Sequence, residues 1–99
     1  MSIFNSPVPR FIVHYTYYFD SKGNGFLAVP MQELHKLGID SFVSVYSRVS
    51  NGLAYLDKDC DLPVFLEARR TIDIPFFIHD LWDGKTTPIK DYSAFEYVS

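Results

Sequence analysis

The feature that most restricts this chain is the run from Phe11 to Phe19. Phe11, Val13, Tyr15, Tyr17 and Phe19 alternate with Ile12, His14, Thr16 and Tyr18. A period of two is the pattern of a strand, and aromatic and β-branched side chains suit a pleated backbone. Both faces of the run carry apolar residues, so the strand is expected to be central or covered on both sides. Residues 20–25 read as a turn, because Gly23, Asn24 and Gly25 tolerate positive φ. Phe26 to Val29 then reads as the returning strand of a hairpin.

Pro30 suits the first turn of a helix. Met31, Leu34 and Leu37 follow at threefold spacing and form one apolar stripe. Gly38 stands where a left-handed terminator belongs, with Ile39 placed for the hydrophobic contact that accompanies it. Phe42 to Val49 alternates again and predicts a third strand, carrying Tyr46 and Arg48. Asn51-Gly52 is the strongest hairpin signal in the chain, and Leu53 to Asp57 is the partner strand. A second helix is expected from about Cys60 to Thr71, with Asp59 or Asp61 as its cap. Ile74 to Trp82 reads as a strand or an extended packed segment.

The expected fold is α+β. It has a small antiparallel or mixed sheet of about four strands, in the order β-β-α-β-β-α, with two helices on one face and an irregular C-terminal tail. Ninety-nine residues make one domain, spanning 1–99. Residues 1–10, with Pro7 and Pro9, are expected to form an extended lead-in, and residues 74–99 a mixed tail packed on the core.

Charge narrows the partners. Residues 51–99 hold five basic against nine acidic side chains, and residues 1–50 hold four against three. Neither half has the surplus of Lys and Arg that neutralising several phosphates requires, which disfavours nucleic acid. Cys60 is the only cysteine, so neither an internal disulfide nor a Cys-x-x-Cys metal or redox motif can form. Met1 to Arg10 has no apolar core of the kind a leader carries, and no apolar run approaches membrane length, so the expected address is a host cytoplasm, with no membrane partner.

The sequence holds no legible catalytic or metal-binding set, and no cofactor is expected. Asp57, Asp59 and Asp61 resemble the start of a calcium loop, but Leu62 stands where Gly is needed and Ala68 where the bidentate Glu is needed. Strand-end and helix-cap roles account for these aspartates. His14, His35 and His79 form no His-x-His or His-x-x-x-His pair on a single element. His79-Asp80, or Cys60 with His79, would be an acid–base or nucleophile pair only if folding brought them together. The aromatic content is high, at 17%. Rings that the core does not take supply contact area at low entropic cost. The expected binding residues are Tyr18, Tyr46, Arg48, His79 and Trp82.

Two stretches carry a resemblance. Gly25-Phe26-Leu27-Ala28-Val29-Pro30, continuing through Leu34, Leu37, Gly38 and Ile39, resembles a recurring GWLxVPxxxLxxLGI pattern. Tyr55 to Asp61 with Phe65-Leu66 is similar to YLEEDCDxxxFL, and Pro88 to Tyr92 is similar to an SPIRSY ending. The patterns belong to short bacteriophage and plasmid proteins with no assigned activity; here Phe26 replaces the usual Trp and Lys58 the usual Glu. The resemblance implies a mobile-element setting, in which small proteins often bind and disable a host factor. The expectation is therefore a non-enzymatic interaction protein that inhibits a host or defence protein. A module that sequesters a nucleotide-type ligand, with Arg48, Arg69 or Arg70 on phosphates, is the alternative. A metal-assisted enzyme ranks third. A homodimer would bury part of the aromatic surplus.

Overall fold

The computed structural model describes residues 12–96. In chain order the elements are β1 (Val13–Phe19), β2 (Gly25–Pro30), α1 (Met31–Leu37), β3 (Arg48–Ser50), β4 (Leu53–Asp57), α2 (Leu62–Arg69), β5 (Phe76–Trp82) and β6 (Ser93–Ala94). Short 3-10 turns lie at Asp40–Phe42 and Pro88–Asp91. The six strands make one mixed sheet in the order β5-β1-β2-β4-β3-β6. Only β1 and β5 run parallel; the other neighbours are antiparallel. The lead-in expected over residues 1–10 lies outside the described residues.

The α+β class, the mixed sheet and the two helices agree with the sequence. The strand count does not, because the sheet has six strands and the tail is not irregular: it supplies both edges, β5 and β6. The expected strand from Phe42 to Val49 is also corrected, since only Arg48–Ser50 pairs. Phe42 enters a 3-10 turn, and Phe42, Val45 and Tyr46 are exposed. Val43 and Val49 pack against the core, but a turn closed by Ser47 N on the Ser44 carbonyl turns Val45 and Tyr46 outward between them and breaks the period of two.

Register sorts the side chains onto two faces. Tyr15 and Tyr17 of β1 share a face with Leu27 and Val29 of β2, Ala54 and Leu56 of β4, and Ile78 of β5. Leu34 of α1 and Phe65 of α2 join these residues in a single core cluster, so both helices cover this face. Phe65 is wholly buried, which stabilises the fold by about 1.5–3 kcal/mol through its apolar area. A polar link runs through this core. The Tyr15 hydroxyl donates to Glu33 of α1 at 2.5 and 2.8 Å and accepts from Arg69 Nε of α2 at 3.1 Å. Arg69 lies 4.8 Å from the Phe76 ring centroid and donates to the Ile72 carbonyl. Burial, then the Glu33 hydrogen bond, push the Tyr15 phenol up to about 12 against the opposing pull of Arg69.

Local signals account for the ends of the elements. Gly38 has φ 73°, and the Ile39 N–H reaches the Leu34 carbonyl at 3.1 Å, so α1 stops where the terminator was read. Asn51 and Gly52 both have positive φ, as a type I′ turn requires. Pro30, by contrast, closes β2 and occupies the cap position before α1. Asp61 precedes α2 but makes no capping hydrogen bond. Its buried carboxylate instead accepts from Ser44 N, Ser44 Oγ and Ser47 Oγ. It is a tie for the 44–47 loop rather than a cap.

The tail crosses the face that the helices leave uncovered. β5 and β6 are at opposite edges, so residues 83–92 pass from one edge to the other. Thr87 N donates to Asp20 at the end of β1, and the Lys90 carbonyl accepts from Arg48 Nε of β3. Tyr92 meets Tyr55 edge-on at 5.3 Å, and Tyr55 leans toward Tyr18 at 6.1 Å. Phe26 and Ile89 are buried here, apart from the main core cluster. Asp20 anchors the crossing by accepting from Lys22 N, Asn24 N, Asn24 Nδ2 and Thr87 N. Burial alone would raise its pKa, but the Asn24 side chain and the backbone donors outweigh it and bring the carboxyl down to about 2.

Candidate functional site

The tail does not cover the whole face. His14 and Thr16 of β1 lie beside Phe77, His79 and Leu81 of β5 on the same side as Tyr18, because Val13 pairs with Phe76 and Tyr18 with Leu81. Here nothing among the described residues lies over the sheet to bury them. Phe77 is 57% exposed and Leu81 48%, and His14 and His79 are exposed as well. β5 is also an edge strand, and among the described residues its outer side pairs with no strand. A seven-residue edge bearing three large exposed apolar side chains is a template for pairing or docking.

At the centre of this bare half-face two imidazoles meet. His14 Nδ1 and His79 Nε2 are 2.7 Å apart. The ring centroids are 5.0 Å apart with planes 24° from parallel, so the nitrogens point at each other along the centroid line rather than stacking face to face. One nitrogen carries the proton and the other accepts it. The Phe77 ring lies 6.2 Å from each imidazole and forms an apolar flank. The sequence offered half of this signal. Alternation places His14 and His79 on definite faces of their own strands, but the parallel pairing of β1 with β5 joins residues 65 apart, which spacing cannot show.

The five residues expected to bind do not form one patch. His79 belongs to the bare half-face. Trp82 ends the same strand but on the opposite face, level with Phe19, where its indole N–H reaches Ser21 Oγ at 3.2 Å. Tyr18 is half-buried at the border of the tail. Tyr46 is exposed in the loop before β3. Arg48 is bound to the Val45 and Lys90 carbonyls. β3 is four strands from β5, roughly 19 Å at ordinary strand spacing, so Tyr46 and Arg48 stand apart from His79. The half-face also brings together His14, Phe77 and Leu81, which were not among the five expected residues.

The groups considered for chemistry are engaged elsewhere. The Asp57 carboxylate accepts from Asp59 N and Cys60 N, while Asp61 holds the 44–47 loop, so these carboxylates do not converge on one point. Partial desolvation, the Asp57 hydrogen bond and the neighbouring aspartates raise the Cys60 thiol above its ordinary range, which favours the less nucleophilic form. The buried guanidinium of Arg69 is spent on Tyr15 and Ile72. A second apolar surface, a shallow groove of about 530 Å³, lies between Ile39 and Phe42 on one side and Pro63, Val64 and Ala68 on the other. Among the described residues no helix is long and apolar enough to cross a membrane. Set against known protein families, curated proteins and solved structures, the chain matches none.

Proposed function

We propose that this chain is a non-enzymatic binding protein of a phage or plasmid, and that its bare half-face and the adjoining β5 edge engage a host or defence protein. One observation carries the reading: Phe77 and Leu81 stand exposed on a strand whose outer edge is unpaired among the described residues. An extended segment of a partner would add main-chain hydrogen bonds along that edge, and alternate side chains would supply specificity. The likeness of residues 25–66 to short mobile-element proteins supports the setting. The nucleotide-type alternative has weaker support, since Arg48 and Arg69 are both turned to internal acceptors.

The test is a tagged pull-down from host lysate, comparing the wild type with a Phe77→Glu/Leu81→Glu double variant. The expected result is a stoichiometric, salt-resistant partner that the double variant loses while its circular dichroism is unchanged. A wild type that captures no partner, or a variant that retains the same one, sinks the reading.

A further inference from the structure

The His14–His79 pair offers more than an apolar docking surface. We propose that His14 Nδ1 and His79 Nε2 together bind one borderline divalent transition cation, of the Cu²⁺, Ni²⁺ or Zn²⁺ class. The contact atoms are two imidazole nitrogens within reach of one ion. Imidazole nitrogens bind such a cation at about 2.0–2.1 Å, which sets two of them about 2.9 Å apart at a right angle and about 3.3 Å apart in a tetrahedron. The pair now stands at 2.7 Å with the two nitrogens aimed at each other, so the ion, which lies off that line, is reached when each exposed ring turns by about 35–45° and the gap opens by a few tenths of an ångström. The two backbones need not move, because β1 and β5 are held in register from Val13–Phe76 to Phe19–Trp82.

The proton balance is simple. When both rings are neutral, one facing nitrogen carries a proton. Metal binding requires both facing nitrogens to be bare, so that ring shifts its proton through solvent to its other nitrogen, giving the His14 Nε2–H or the His79 Nδ1–H tautomer. No net proton is released. In acid, protons compete for the same nitrogens and affinity falls.

The donor set decides which cation fits. Two imidazoles with no carboxylate between them suit Cu²⁺, Ni²⁺ and Zn²⁺, whereas Mg²⁺ and Ca²⁺ require oxygen donors. Copper is expected to bind more tightly than zinc. Two protein donors leave coordination positions open. Because both rings are exposed on the bare half-face, those positions face outward. Water fills them in the isolated chain, and a donor side chain of a docked partner would be able to replace it. The cation would also join the edge strand β5 to β1, so binding stabilises the native state.

The experiment is calorimetric titration of the EDTA-treated full chain with ZnCl₂ and with CuCl₂, alongside His14→Ala, His79→Ala and His35→Ala. His35 sits on α1 against Asp40 and is the control. The expected result is one equivalent bound, with at least a tenfold loss of affinity in His14→Ala and in His79→Ala and none in His35→Ala. Zinc is also expected to raise the melting temperature of the wild type but not of the two variants, whose metal-free melting temperatures match that of the wild type. Bound copper should show two nitrogen ligands by electron paramagnetic resonance. Absence of binding at millimolar zinc and copper, or equal affinity in the wild type and both variants, overturns the proposal. Because the readout needs no partner, it stands or falls apart from the pull-down.

Discussion

The back of the sheet is one surface with two fates. Over β2 and β4 it carries Phe26 and Tyr55, and the tail closes over them with Ile89 and Tyr92, leaving Phe26 4% and Ile89 2% exposed. Over β5 and the start of β1 it carries Phe77, Leu81, His14 and His79, and the tail leaves them in water. The two halves are similar in apolar character and differ in what covers them. In the covered half, polar anchors hold the cover: Thr87 N on Asp20, and the Lys90 carbonyl on Arg48. The bare half has no such anchor among the described residues. Instead of a hydrogen-bonded cover, it presents two imidazoles to solvent. The apolar pattern is therefore buried by the tail in one half and exposed in the other.

Substitutions can break that comparison, beginning with the largest effect. Phe26→Ala should cost about 3–5 kcal/mol in urea unfolding, because a buried ring leaves a cavity behind. If the cost is instead near zero, the tail is not a true cover. Ile89→Ala removes the matching piece from the tail, and about 2–5 kcal/mol is expected from the same measurement. A double-mutant cycle on Tyr55 and Tyr92 should return a coupling of about 0.5–1.5 kcal/mol, the usual range for an edge-to-face pair.

Acid probes the anchor of the cover. The Asp20 carboxyl has a native pKa of about 2, below the unfolded value of about 3.9. The native state therefore takes up its proton later than the unfolded chain. The stability it contributes is fully present above about pH 4 and is lost as pH falls toward 2. The unfolding midpoints of the wild type and Asp20→Asn should thus converge as pH is lowered through this window. Parallel curves would show that Asp20 does not hold the tail. On the bare half, Phe77→Ser and Leu81→Ser should each change stability by no more than about 0.5 kcal/mol. A loss as large as that of Phe26→Ala would mean that the half-face is covered after all.

What could be read from the sequence was local. The β1 alternation, the Asn51-Gly52 turn and the Gly38 terminator each depend on a few consecutive residues, and all three are present. The strand expected from Phe42 to Val49 failed because a turn at 44–47 interrupts it, although Val43 and Val49 on either side still meet the core. Asp61, 14 and 17 residues away from Ser47 and Ser44, shaped that loop instead. Of the candidate site, alternation exposed His79 on its own strand, yet the site exists only through the pairing of β1 with β5. Tertiary packing decides such pairings, and no spacing within one strand reports them. The aromatic excess was correctly a sign of both core and surface. Its division between Phe26 and Phe77 depends on the path of the tail, which contains no pattern of its own.

The tail's route also orders events in time. A segment running from one edge of the sheet to the other has nothing to lie on until β1, β2, β4 and β3 stand side by side. Its contacts join distant parts of the chain, such as Asp20 with Thr87 and Arg48 with Lys90, and contacts of long sequence separation are slow to form. Residues 83–92 can therefore close over this face only when those strands are paired. Were that closure undone, Phe26 and Tyr55 would lie open to solvent as Phe77 does, and the whole sheet face would be on offer.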